Sequence, residues 1–407
     1  MCYTMRRCNF YHFKEGFPLK YLGGYLVAAI FGAISWVLME FGERFTVIVD
    51  MVYPYVIRTL QGFLAQWTGS VDFCVWQLLA VVMGVIVLAT LVLMIVFKWN
   101  PIQWFGWVAA AGSFVFLLHM GLFGLNYYAG PLADDLRLDV APYTLEELTE
   151  ATEYYRDKAN ALAEQMPRDA QGNLQFSDFE TLANQAGDGF HTLTYDHSYP
   201  IFAGSTLPVK KLGWADTMTA MGITDYMAGL TGEAAVNPNT PTVALPFTMC
   251  RAMSQRMCIV PQRDANFAAF LAATHNSSKE FQYSGYFMAF RYCYTTLNSV
   301  NSQSAANAAG RIAAGVNTKL RYDLDLYDYH FNQLQGTAAY SLGQSATDAY
   351  LKLSGDKGGI AAYGEVCDLL VTWHIQKVVL PSITVTEKPF DPYDESQVDL
   401  SGIVNAR

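Results

Sequence analysis

Between Tyr21 and Met39 no residue carries a charge, and about 20 apolar residues are what a bilayer requires of a spanning helix. Similar runs from Phe73 to Phe97 and from about Gln103 to Leu125 predict two further spans, joined by a short turn at Lys98, Asn100 and Pro101. Trp99, Trp104 and Trp107 stand at one end of the third span and Tyr127 with Tyr128 at the other, where interfacial aromatic belts belong. The intervening segment, Glu40 to Asp72, has a different pattern. Phe45, Val49, Val52, Tyr53, Val56, Ile57 and Leu60 recur at helical spacing, which predicts an amphipathic helix, outside the membrane or packed on the spans and kinked at Pro54.

Beyond the spans the pattern is mainly helical. Thr144 to Gln165 opens as an acid-rich helix with Thr144 and Glu147 placed for a capping box. A turn-rich stretch with Pro167, Gly172, Gly187 and Gly189 predicts a surface connection or lid, and Tyr199 to Thr242 offers only strand-length apolar pieces. Leu245 to Ala272 reads as two helices in succession, the first started by Pro246 at its first turn and stopped by Pro261. Helices are then expected over Asp264–His275, Ser284–Val300, Ala305–Leu334, Ser345–Leu353 and Ile360–Val379, with Gly-rich Ser354–Gly359 separating the last two. No internal repeat is present.

Charge orients this pattern. Residues 1–20 carry Arg6, Arg7, Lys14 and Lys20 against Glu15, and Lys98 lies in the turn between the second and third spans. Basic segments stay on the cytoplasmic side. A tail (1–20) is therefore expected inside, a three-helix membrane domain over 21–128, an extracytoplasmic domain over 130–380 and a polar C-terminal tail over 381–407. The first span lacks a small-residue cleavage site and is followed by others, so it is expected to stay uncleaved. A composition that is 52% hydrophobic and 15% charged agrees with a membrane protein, and a net charge of −10 argues against a nucleic-acid partner. The seven cysteines show no C-x-x-C spacing and are expected as small buried apolar residues.

Within Leu245 to Ala272, Pro246, Phe247, Thr248, Cys250, Ile259, Ala265, Asn266 and Phe267 fit, without a gap, the pattern PFT-x-C-H-E-x-x-H-x-x-G-I-x-x-x-x-E-A-N-F. Agreement extends to TGEAAVN (Thr231–Asn237), LNYYAGPLADDL (Leu125–Leu136), YSGYFMAF (Tyr283–Phe290), and DAYLK and YGEVCDLL between Asp348 and Leu370. The chain thereby resembles a bacterial domain-of-unknown-function family with three N-terminal membrane helices and a zincin-like metallopeptidase domain. The resemblance implies an extracytoplasmic zincin-like α(+β) fold at the bacterial cell membrane. It also implies zinc, held by two His at i and i+4 with a Glu activating water.

The departures fall on that chemistry. Arg251 and Gln255 stand at the two His positions, Ala252 at the Glu, Cys258 at the glycine, and only Asp264 keeps an acid before Ala-Asn-Phe. One carboxylate is not a zinc site, and the Arg251 guanidinium places a fixed cation where the metal would sit. The reading is a vestigial site of Arg251, Ala252, Gln255 and Asp264, with no catalytic residue and no cofactor, and with an Arg251–Asp264 ion pair replacing the metal. The function that follows is that of a pseudopeptidase, binding or regulatory at the cell envelope, with the lipid bilayer and a peptide or envelope protein as partners. The alternative is a peptidase with another ligand set, drawn from Asp264, His275, Glu233, His191 and His197. A third reading makes the spans a small transporter subunit, against which stands the scarcity of ionisable residues in them.

Other groups have plainer readings. His119 within the third span is expected as a packed, hydrogen-bonded residue. His191 and His197, with Asp188 and Asp196, read as a solvated loop, and Asp325 with Asp328 as a solvated helix face. Glu233 is a candidate acid near the vestigial site, and Ser254 lacks a His at hydrogen-bonding offset on its own helix.

Overall fold

The computed structural model describes residues 21–359 and 364–381. The expected tails, and the start of the helix expected at Ile360, lie outside the described residues. Four long helices come first: α1 (Gly23–Arg44), α2 (Thr46–Thr68), α3 (Val75–Val96) and α4 (Pro101–Leu122). Of these α1, α3 and α4 are long and apolar enough to cross a membrane, at the places the sequence indicates. Helices α1 and α4 run parallel and in close contact. Near their starts Gly24 meets Gly106, where a methyl group would overlap the facing backbone, and near the end of α1 Gly42 meets Tyr128. Small residues permit such approach where lipid supplies no hydrophobic drive between helices. Helix α3 runs the other way, and Trp104 Nε1 donates to Thr90 Oγ1 (3.1 Å) where it meets α4. The start of α1 and the Lys98 turn thus share one end, and the described residues that follow α4 lie at the other.

Helix α2 lies at that second end with reversed polarity. Its inward face carries Arg58, Gln61 and Thr68. Arg58 Nε donates to Met257 O (3.0 Å), Gln61 Nε2 to Gly229 O (2.8 Å) and Thr68 Oγ1 to Thr231 O (3.2 Å). Outward it shows Ile48, Met51, Val52, Tyr55, Val56, Phe63 and Trp67, all exposed. The expected apolar stripe is present, but much of it faces away from the protein, as on a helix lying in a membrane interface. Pro54 sits within this continuous helix.

The domain contains α5 (Leu132–Asp135), α6 (Leu145–Ala163), α7 (Phe179–Gln185), α8 (Asp188–Tyr195), α9 (Ala215–Ala220), α10 (Leu245–Arg256), α11 (Gln262–Thr274), α12 (Lys279–Ser299), α13 (Gln303–Ala314), α14 (Thr318–Asn332), α15 (Ala338–Ser354) and α16 (Val366–Trp373). Thr144 and Glu147 form the expected capping box on α6. The turn-rich connection is more ordered than expected, because Asp178 accepts from the Glu180 and Thr181 amides (3.0 and 3.1 Å) and starts α7. The long helix expected over Ala305–Leu334 is instead two. Gly315 closes α13, and Asn317 Oδ1 accepts from Leu320 N (2.8 Å) to start α14. After Trp373 the helix continues as a wider π-type turn, His374–Val379.

A small sheet of β1 (Lys210–Lys211), β2 (Asp225–Ala228) and β3 (Glu233–Val236) has the order β1-β3-β2. TGEAAVN therefore supplies the central strand, parallel to β1 and antiparallel to β2. All of α10 is buried, and α11 is buried from Asp264 to Ala273. The two helices share one core with α6, α8, α12 and α16, where Phe247, Phe267, Phe270, Phe281, Phe287 and Tyr155 pack together.

Candidate functional site

The face of α10 that carries Arg251 and Gln255 opens onto a cavity of about 720 Å³, within the usual range for ligand pockets. Thr248, Arg251 and Gln255 project from α10, and Asp225 and Tyr226 from β2. Arg291, Tyr292 and Thr296 of α12, Tyr327 of α14, and Tyr340 and Tyr350 of α15 close the sides. Ala252, one position from Arg251, is fully buried in the core instead. Register explains this: 251 and 255 share a helix face, and 252 points away from it.

Arg251 does not pair with Asp264. Its Nε donates to Asp225 Oδ2 (3.2 Å) and its Nη2 to Asp225 Oδ1, while Nη2 also reaches Thr224 Oγ1 (3.0 Å) and Nη1 reaches Asn266 Oδ1 (3.5 Å). This ion pair is buried, at 9% and 4% side-chain exposure. Asp264 is engaged elsewhere. Its Oδ2 accepts from Leu132 N (3.0 Å) and its Oδ1 from Arg263 Nε (3.1 Å). It lines a separate cavity of about 40 Å³ with Arg58, Asp135 and Cys258. The face of α11 turned toward Arg251 is that of Asn266. The expected pair fails for this reason, and sequence spacing held no sign of Asp225, which comes from another element.

Glu233 is also not placed as an acid. Its carboxylate accepts from the first two amides of α3, Val75 N (2.8 Å) and Trp76 N (2.9 Å), and from Thr231 Oγ1 (2.8 Å). Lys210 Nζ lies 2.8 Å from it and donates as well to Thr68 O (2.7 Å) and Phe73 O (2.9 Å). A buried anion thus caps an apolar helix at its positive end, and a lysine ties the end of α2 to the same point. This junction fastens the sheet to the span.

The remaining candidates are dispersed. Ser254 Oγ donates to Arg251 O (2.7 Å), and His275 Nδ1 donates to Leu271 O (2.8 Å), so they do not form a dyad. His191 bonds Thr206 (3.1 Å), and His197 meets His275 edge-on with centroids 4.8 Å apart. His119 Nε2 lies 3.4 Å from Ser354 Oγ and packs against Phe123 and Tyr350. Asp328 pairs with Arg291 (2.5 Å), whose guanidinium lies over the Tyr327 ring. No group of three His, Cys, Asp or Glu suited to a metal occurs among the described residues. The five cysteines among the described residues are free and buried, and burial pushes the Cys258 thiol up to about 12. Cys258 has a left-handed backbone (φ 70°), a conformation that glycine adopts most readily. A buried set that sequence reading missed is Asp323, which receives Arg168 in bidentate fashion (2.8 and 2.6 Å) and the Tyr283 hydroxyl.

Burial holds His275, His330 and His374 below the usual histidine range, with His197 adding repulsion at His275. Their folded state favours the neutral ring, whereas the unfolded chain takes up protons near about 6.5. Stability is thus expected to fall as pH drops below about 6.5 toward the folded-state values. Melting temperatures from neutral pH down to about pH 5 check this, and His275→Gln should flatten the slope.

The fold is that of a mainly helical domain joined to three helices long and apolar enough to cross a membrane, with an arginine–aspartate pair walling its cavity, an arrangement consistent with membrane anchoring. The chain belongs to the DUF3810 family, described as proteins of unknown function, over residues 50–371. That match begins within α2 and ends in α16. No curated protein and no solved structure matches the chain.

Proposed function

We propose that this protein is a membrane-anchored pseudopeptidase whose extracytoplasmic, zincin-related domain binds a peptide or envelope protein without cleaving it. The observation that carries this reading is the Arg251–Asp225 pair. At the position where the resembling family has a metal ligand, this chain has a guanidinium locked onto a neighbouring strand. The cavity around it keeps the walls of a binding groove. Tyr226, Tyr292, Tyr327, Tyr340 and Tyr350 offer aromatic faces with polar tips, and Gln255 and Thr248 offer amide and hydroxyl groups to a peptide backbone. Hydrolysis needs a polarised carbonyl and an activated water, and the vestigial face supplies neither a ligand set nor a general base. The basic flank at residues 1–20 and Lys98 in the turn support an orientation with the domain outside. The outward apolar face of α2 suits the outer membrane interface.

The test is a titration of the full-length protein in detergent with fluorescein-labelled casein peptides, followed by anisotropy and by chromatography. Saturable binding with no cleavage is expected, weakened at least about 10-fold, or 1.4 kcal/mol, by Tyr292→Ala. Cleavage that chelator abolishes would reverse the reading.

A further inference from the structure

A cavity of about 1430 Å³ lies between two of the long apolar helices, apart from the face of α10. It runs between α3 and α4 from Trp76 to Thr90 along α3, roughly 20 Å at 1.5 Å per residue. Met83, Ile86, Val115 and Phe116 form its walls, and Leu230 with Leu353 of the domain closes its upper end. No Asp, Glu, Lys or Arg lines it. Among its polar groups Thr90 bonds Trp104 (3.1 Å) and Val87 O (3.0 Å) and His119 lies 3.4 Å from Ser354, while the buried Trp76 Nε1 has no hydrogen-bond partner.

The groove has no charged side chain and few polar partners to hold ordered water. The same lack of charge disfavours an ion or a peptide backbone, which brings amide groups that need partners. The groove also lies between two helices long and apolar enough to cross a membrane. We propose that the α3–α4 groove is a lipid site that holds the acyl chain of a membrane glycerophospholipid, seated beneath the domain as a structural filling between the two spans. A chain of methylenes matches the groove in length and polarity, and it supplies the packing that α3 and α4 do not give each other.

Gly112 lines the groove, and a methyl group built on it meets no atom within 4 Å, so a larger side chain projects into the space without displacing backbone. Gly32 on α1 is equally open but lies away from the groove, and it serves as the control for added bulk. The full-length protein is stripped of lipid in detergent, incubated with 1-palmitoyl-2-oleoyl phosphatidylethanolamine and examined by native mass spectrometry and thermal melting. The wild type and Gly32→Leu are expected to retain one lipid and to melt at a higher temperature with it. Gly112→Leu and, independently, Ala80→Leu are expected to lose at least about 10-fold in retention and to show no such rise. Equal retention by all four proteins, or none by the wild type, overturns the proposal.

Discussion

Replacing Glu233 with alanine is expected to lower stability by about 3–5 kcal/mol, the usual cost of removing one partner from a buried ion pair. The carboxylate is fully buried, and its loss leaves the Lys210 ammonium, at 12% exposure, without its counter-charge. It also strips the Val75 and Trp76 amides of their acceptor at the start of α3. In a domain of this size each kcal/mol is worth roughly 2–4 °C, so a drop on the order of 10 °C in melting temperature is expected. Glu233→Gln should fall between, since an amide oxygen still accepts one hydrogen bond but carries no charge for the helix end. Were Glu233 instead a catalytic acid, Glu233→Ala would leave folding intact, and an unchanged melting curve refutes the structural role.

The second large effect is expected at Asp225. Asp225→Ala leaves the Arg251 guanidinium buried beside Thr224 and Asn266 without its carboxylate, again at a cost of about 3–5 kcal/mol. The double variant Arg251→Met with Asp225→Leu removes both charges while filling similar volume. Such replacements are often neutral or stabilising, so the double variant should recover most of the loss. Thermal melting of the three proteins checks this. A double variant as unstable as Asp225→Ala would mean that Arg251 is held in place chiefly by something other than its aspartate.

How much of this was legible in the sequence depended on range. The spans, the capping box at Thr144 and Glu147, and the paired helices around Pro261 follow from local pattern, and the structure has them at those places. The split at Gly315 and Asn317 carried a local signal as well, a glycine two residues before a capping asparagine, but the apolar spacing on either side overrode it. The strands were hard to read because β1 has two residues and β3 reads Glu-Ala-Ala-Val, with one β-branched side chain between them. The polar junctions were out of reach. Asp225 and Arg251 stand 26 positions apart, and Arg168 and Asp323 are separated by 155. The acid and base of each pair look like ordinary surface charges until the fold brings them together. For Asp264 the residue type was right for a ligand, but its turn on α11 faces Leu132 and Arg263.

The central claim, that this domain binds without metal-dependent cleavage, is tested most directly by the metal content of the full-length protein. It is measured by elemental analysis after mild chelation and reloading with zinc. Absence of stoichiometric zinc, with an unchanged melting temperature after reloading, is the result expected from a site holding Arg251 and Gln255 with Asp264 turned away. One zinc per chain, lost on Asp264→Ala, would contradict it and favour a metal-dependent enzyme.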